Sequence, residues 1–194
     1  SRGPSSSLYG NASGGLIQIQ TQEALPGTFQ FQPQFIAGSQ ELWKLQAKAS
    51  GRFGKNSFLI NAGGLRLAGY REHAAAASAS VNAVGQPQIS NQFRLGAGLY
   101  YFDVPYLLNP SSLSKAEAER SPTSTRLAVK QQAAGKKANQ GQGGATLQYD
   151  DGEANHLEAT VYGLSRALLN PIPGRIIDLD RAAWGLRTVF NRNA

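Results

Sequence analysis

Polar and apolar positions alternate one by one along much of the chain. In residues 42–51, LWKLQAKASG, Trp43, Leu45, Ala47 and Ala49 fall on one side while Lys44, Gln46, Lys48 and Ser50 fall on the other. Phe93, Leu95, Ala97, Leu99 and Tyr101 repeat this against Gln92, Arg94, Gly96, Gly98 and Tyr100, and Leu157, Ala159 and Val161 repeat it against His156, Glu158 and Thr160. A period of two sends successive side chains to opposite faces, so each stretch is a strand lying between two different media. Residues 184–190 follow the rule less cleanly, and extended stretches at about 27–37, 57–70, 79–86 and 140–149 bring the expected count to eight strands with almost no helix. Many stripe positions are small (Ala47, Ala49, Ala62, Ala97, Ala159), a surface that fills a sandwich core poorly and suits lipid tails. Aromatic residues (Trp43, Tyr70, Tyr101, Phe102, Tyr149, Tyr162, Trp184) gather near strand ends, as the interfacial girdles of membrane barrels do.

The connections point the same way. Residues 51–56 and 85–91 are short links and 150–153 holds an Asp-Gly hairpin signal, whereas 71–80, 103–139 and 165–178 are expected to be long. Short links on one rim and long loops on the other are the asymmetry of a transmembrane barrel. Within the longest loop, Ser114 and Glu117 form a capping box ahead of a helix-favouring run to Arg120. That loop also concentrates cations: Lys115, Arg120, Arg126, Lys130, Lys136 and Lys137 against Glu117 and Glu119, a pattern that suits an anionic ligand or lipopolysaccharide phosphates.

Composition sharpens this picture. The chain has 22 glycines in 194 residues and 16% charged residues, where soluble domains carry ~25%. It has no cysteine and two histidines, which leaves neither a thiol nucleophile nor a Cys/His metal centre to expect. No run approaches the ~18 apolar residues of a membrane helix, and residues 1–10 lack a signal-peptide pattern. With no initiator methionine, the chain reads as an internal fragment. Catalysis is not expected. His156 and Glu158 share a polar face but have no matched nucleophile, and residues 51–56 lack the spacing of a phosphate loop. The net charge of +7 allows a different class, a soluble basic β-domain that binds nucleic acid by stacking on Tyr and Phe, though this leaves the loop asymmetry unexplained.

Residues 2–20 are unlike the rest. Arg2-Gly3-Pro4, Ser7-Leu8-Tyr9-Gly10 and Gly14-Gly15-Leu16-Ile17 resemble the end of the plug domain of TonB-dependent outer-membrane receptors, and Arg2, Gly3, Pro4, Tyr9, Gly10, Gly14 and Gly15 carry the motif. Gly69-Tyr70-Arg71-Glu72-His73, Asn109-Pro110, Leu113 to Glu117 and Ile177-Asp178-Leu179 are similar to a subgroup that includes pyrroloquinoline-quinone and putative iron-chelate receptors. The resemblance implies an all-β fold: the C-terminal end of a plug at residues 1–24, then an antiparallel, partial transmembrane β-barrel of about eight strands at 25–194, out of a family barrel of about 22. It also implies uptake of a scarce ligand, such as a ferric siderophore, another chelate or a cofactor, at the bacterial outer membrane. Energy would come from the TonB complex through an N-terminal region this chain lacks. The partners implied are that complex, the ligand and outer-membrane lipid, with no nucleic acid, no resident cofactor and no metal held by the protein.

Ligand contacts are then expected from outer loops and the upper lumen: Tyr70, Arg71, His73, Asp103, Tyr106, Arg120 and Arg126. A lysine facing lipid at the midplane costs ~2–4 kcal/mol, so Lys44 and Lys48 are expected to face the lumen. An open sheet of eight strands would leave two unpaired backbone edges, each group costing several kcal/mol in hydrocarbon. The structural alternative is therefore a small self-closed eight-stranded barrel.

Overall fold

The computed structural model describes residues 29–152, 154–172 and 174–192, so the plug-like segment and its motif residues lie outside the described residues. Eight strands follow one another: β1 (Gln30–Gly38), β2 (Leu42–Phe53), β3 (Asn56–Leu67), β4 (Ala76–Gln86), β5 (Phe93–Leu108), β6 (Gly135–Asp150), β7 (Asn155–Ile172) and β8 (Arg175–Arg192). Each pairs antiparallel with its sequence neighbours in a single meandering sheet ordered β1 to β8. β1 does not pair with β8, so the sheet is open and the self-closed eight-stranded barrel is not what the chain forms.

The register turns local alternation into two continuous faces. Phe31, Ala49, Ile60, Ala83, Leu99, Gly143, Gly163 and Trp184 form one row across all eight strands. One residue away, on the opposite face, the row is Gln32, Lys48, Asn61, Asn82, Tyr100, Gln142, Leu164 and Ala183. Since a slip of one residue would exchange the faces, the pairing keeps every stripe in phase. Lys44 and Lys48 lie on the polar face, opposite the Trp43–Ala49 stripe.

Among the described residues no second layer covers the apolar face. Leu45 is 62% exposed, Leu186 70% and Trp184 84%, and the buried apolar residues among those described are only Leu59, Val129, Ala134 and Ala138. Aromatic pairs mark the borders of this face: Phe35 with Trp43 at 5.6 Å near one rim, and Phe53 with Phe58 at 6.0 Å and Phe93 with Tyr149 at 4.9 Å near the other.

Several connections differ from expectation. Residues 165–178 are not a loop: β7 runs to Ile172 and β8 resumes at Arg175, with Gly174 at φ +79° in the turn. Pro171 lies within this stretch, where the β6–β7 ladder has already ended at Lys137–Leu169. Beyond that pair β7 is flanked on one side only, the edge setting in which proline is tolerated. Pro105, inside the link expected from residue 103, is a strand residue too. The register of β5 shifts between Val104 and Leu107, a bulge that absorbs the proline and lets the strand continue to Leu108. The longest connection is therefore 109–134, and Lys136 and Lys137 belong to β6. On its rim lie the 39–41, 68–75 and 173–174 connections; on the other lie 54–55, 87–92 and 151–154. The asymmetry thus rests on 68–75 and 109–134 rather than on a regular alternation.

Candidate functional site

Loops 68–75 and 109–134 fold against one another into a platform on one rim. The capping box forms as expected. Ser114 Oγ accepts from the Glu117 backbone N–H at 3.3 Å, and the Ser114 N–H donates to Glu117 Oε2 at 2.7 Å, starting helix α1 (Lys115–Arg120). A second short helix, α2 (Leu127–Gln131), follows. Arg71 joins the loops. Its Nε and Nη2 donate to the Ser124 carbonyl at 3.2 and 2.8 Å, Nη1 to Ser111 O at 2.6 Å and Nη2 also to Pro110 O at 3.3 Å. A planar fork of donors can satisfy several carbonyls at once, which an ammonium group cannot. Beside it, Glu72 receives Lys130 Nζ at 2.5 Å and the Thr125 N–H at 3.3 Å, and its own N–H donates to Thr123 O at 2.8 Å. His73, at φ +58°, places Nε2 2.7 Å from the Ala134 carbonyl.

Electrostatically the platform is largely self-satisfied. Arg126 Nη2 meets Glu117 Oε2 at 2.8 Å; this bond, with those from Ser114, lowers the Glu117 carboxyl to about 2. The Lys130 bond and charge likewise lower Glu72. Lys115 approaches Glu119 at 3.9 Å. Of the four cations within 109–134, three have carboxylate partners and Arg120 is exposed. Of the six cations expected in this loop, two are thus paired by its own Glu119 and Glu117 and one by Glu72 of the neighbouring connection.

The candidate ligand residues divide accordingly. The fold brings Tyr70, Arg71, His73, Arg120 and Arg126 to one rim, but Arg71, His73 and Arg126 spend their polar groups on the platform, leaving Tyr70 (61% exposed) and Arg120 facing solvent. Asp103 and Tyr106 are strand residues of β5, not loop residues. Asp103 pairs with Ala79 and Tyr106 with Ala77, on the face of Tyr101 rather than on the polar face.

The polar face holds a feature that the sequence pattern did not reveal. Gly98 and Gly144 sit opposite one another there, and Gly96 lies one step along. With no side chains at these points, a groove of 490 Å³ opens, walled by Tyr100 and Tyr162 and flanked by Asn82, Gln86, Gln142 and Thr146. Tyr162 leans toward β8, where a Cβ on Gly185 would come within 2.4 Å of its ring. Thr146 and Thr160 hydrogen-bond across β6 and β7 at 2.9 Å along one side. The volume suits a small organic ligand. Its floor is spread over β4 to β7, so only the register could have disclosed it.

Among the described residues no three His, Asp or Glu side chains gather as metal ligands, and no helix is long and apolar enough to cross a membrane, which says nothing of a β-barrel. Scanned against protein-family models, the chain matches none.

Proposed function

We propose that this chain is part of the wall of a bacterial outer-membrane receptor of the TonB-dependent kind, which binds a scarce, bulky ligand such as a ferric chelate or cofactor at the cell surface and imports it with energy from the TonB complex. The observation that carries the reading is the uncovered apolar face: eight-strand rows of Ala, Leu, Val, Ile and aromatic side chains with no polypeptide over them, backed by rows of Gln, Asn, Lys and Thr. In water such a face would drive association. Against lipid tails it is at rest, and the opposite face suits a wet lumen. Further strands of the receptor would pair the free edges of β1 and β8, since unpaired backbone is costly in hydrocarbon. A receptor, rather than a plain pore, is supported by the clamped loop platform on one rim and by the plug-like residues 2–20. Binding and transport, not catalysis, is the role this assigns.

The test is site-specific labelling in membranes. The chain has no cysteine, so single cysteines at 44, 45, 47 and 48 are unique within it. A probe confined to acyl chains should label 45 and 47 and spare 44 and 48. The opposite pattern overturns the reading. A chain that stays monodisperse without detergent and loses bound DNA steeply with salt would replace it with the soluble nucleic-acid binder.

A further inference from the structure

One row of the polar face carries charge in an unusual way. It runs Gln34, Gln46, Gly63, Ser80, Phe102, Gln140, Arg166, Arg181, so Arg166 of β7 and Arg181 of β8 are direct cross-strand partners. Residues directly opposite have Cβ atoms ~4.5–5.5 Å apart, and like charges there are destabilising. The nearest carboxylates in sequence do not help. Asp178 and Asp180 pair with Leu169 and Ala167, on the opposite face of the sheet. Among the described residues neither arginine has an ion-pair partner, and Arg166 Nε is buried with no hydrogen-bond acceptor. A buried guanidinium donor left unmade is expensive, and a bidentate anion is the group that satisfies two facing forks.

The position adds a second constraint. Gln142 and Leu164, which line the groove between Tyr100 and Tyr162, lie two residues from Gln140 and Arg166 on the same strands and the same face. The arginine pair therefore stands at the end of the groove nearer the loop platform, with an aromatic-walled, glycine-floored slot below it.

We propose that Arg166 and Arg181 together seat a carboxylate or phosphate, and that the groove takes the planar body of the group that bears it. This rests on the reading of the polar face as a ligand-facing lumen and names the ligand's chemistry: an acid-bearing, flat organic molecule.

Calorimetric titration of the protein in detergent micelles with benzoate and with inorganic phosphate tests this. Wild type should bind benzoate, R166Q/R181Q should lose at least tenfold in affinity, and K44Q, a cation elsewhere on the same face, should stay within twofold. Phosphate should bind the same pair more weakly, because it leaves the slot empty. The proposal is overturned if wild type binds benzoate no better than R166Q/R181Q. Each variant's circular dichroism separates lost binding from lost folding. The labelling experiment fails or succeeds independently. Anion binding with the wrong label pattern keeps the arginine site and removes the receptor, and the converse removes only the site.

Discussion

An arginine placed at position 47 measures the medium against the apolar face. Trp43 and Phe53 lie on that face with Leu45, Ala47, Ala49 and Gly51 between them. Ten residues at ~3.3 Å span ~33 Å along the strand, and a tilt of ~40° reduces this to ~25 Å of height, the thickness of the apolar band in outer-membrane barrels. Ala47 lies ~10 Å inside the Trp43 border on the same arithmetic, well within hydrocarbon. Ala47→Arg should therefore cost ~2–4 kcal/mol, roughly 30- to 700-fold in the folding equilibrium. Gln46→Arg, its neighbour on the polar face, loses a 3.0 Å hydrogen bond to Asn61 Oδ1 and should cost about 1 kcal/mol. Urea titration of the protein folded in lipid vesicles, followed by its gel mobility, reads both. Equal costs for the two variants, or an Ala47→Arg protein as stable as wild type, would refute the assignment of lipid to that face.

Other consequences follow from the platform and the turns. Arg71→Ala removes every bond that the fork makes to Pro110, Ser111 and Ser124, and at about 1.5–3 kcal/mol for lost charged hydrogen bonds it should speed tryptic cleavage within 109–134 about tenfold or more, with Arg71→Lys recovering only part of the protection. Glu117 is lowered from 4.5 to about 2, so its share of loop order is complete above pH 4.5 and is lost as pH falls toward 2; pepsin cleavage of the loop should rise across that window, and much less steeply in Glu117→Gln. Gln40 and Glu41, at φ +61° and +55°, occupy the centre of a turn closed by Leu42 N–H to Ser39 O at 3.3 Å, the two-residue hairpin geometry that favours Asn-Gly. Glu41→Gly should raise stability by about 1 kcal/mol, seen as a higher urea midpoint; an unchanged or lower midpoint would mean that the glutamate side chain offsets its own strain.

The strands were legible because alternation is local. Leu45 beside Lys44, or Leu99 beside Tyr100, already assigns faces, and the Ser114–Glu117 capping box reports its own helix start. Strand ends were misjudged at 103–139 and 165–178, links that prove to be partly or wholly strand and hold prolines. Pro105 is absorbed by a bulge and Pro171 by a one-sided ladder, both properties of the neighbouring strand rather than of the proline. The site was harder for a related reason. Arg71 and Arg126 were expected to meet a ligand because loop cations often do, yet their carbonyl and carboxylate partners come from residues 39 to 53 positions and nine positions away, distances at which sequence carries no pairing signal. Arg166 and Arg181, fifteen residues apart in alternating stretches, become neighbours only once the short turn at 173–174 fixes their register.

Strand length climbs across the sheet, from nine residues in β1 to 18 in β7 and β8. Counted from the Phe31-to-Trp184 row, β8 runs nine residues toward the platform rim against seven in β1, while its eight residues from Gly185 to Arg192 extend toward the short-turn rim, so the platform rim is set apart by its two loops and not by longer strands.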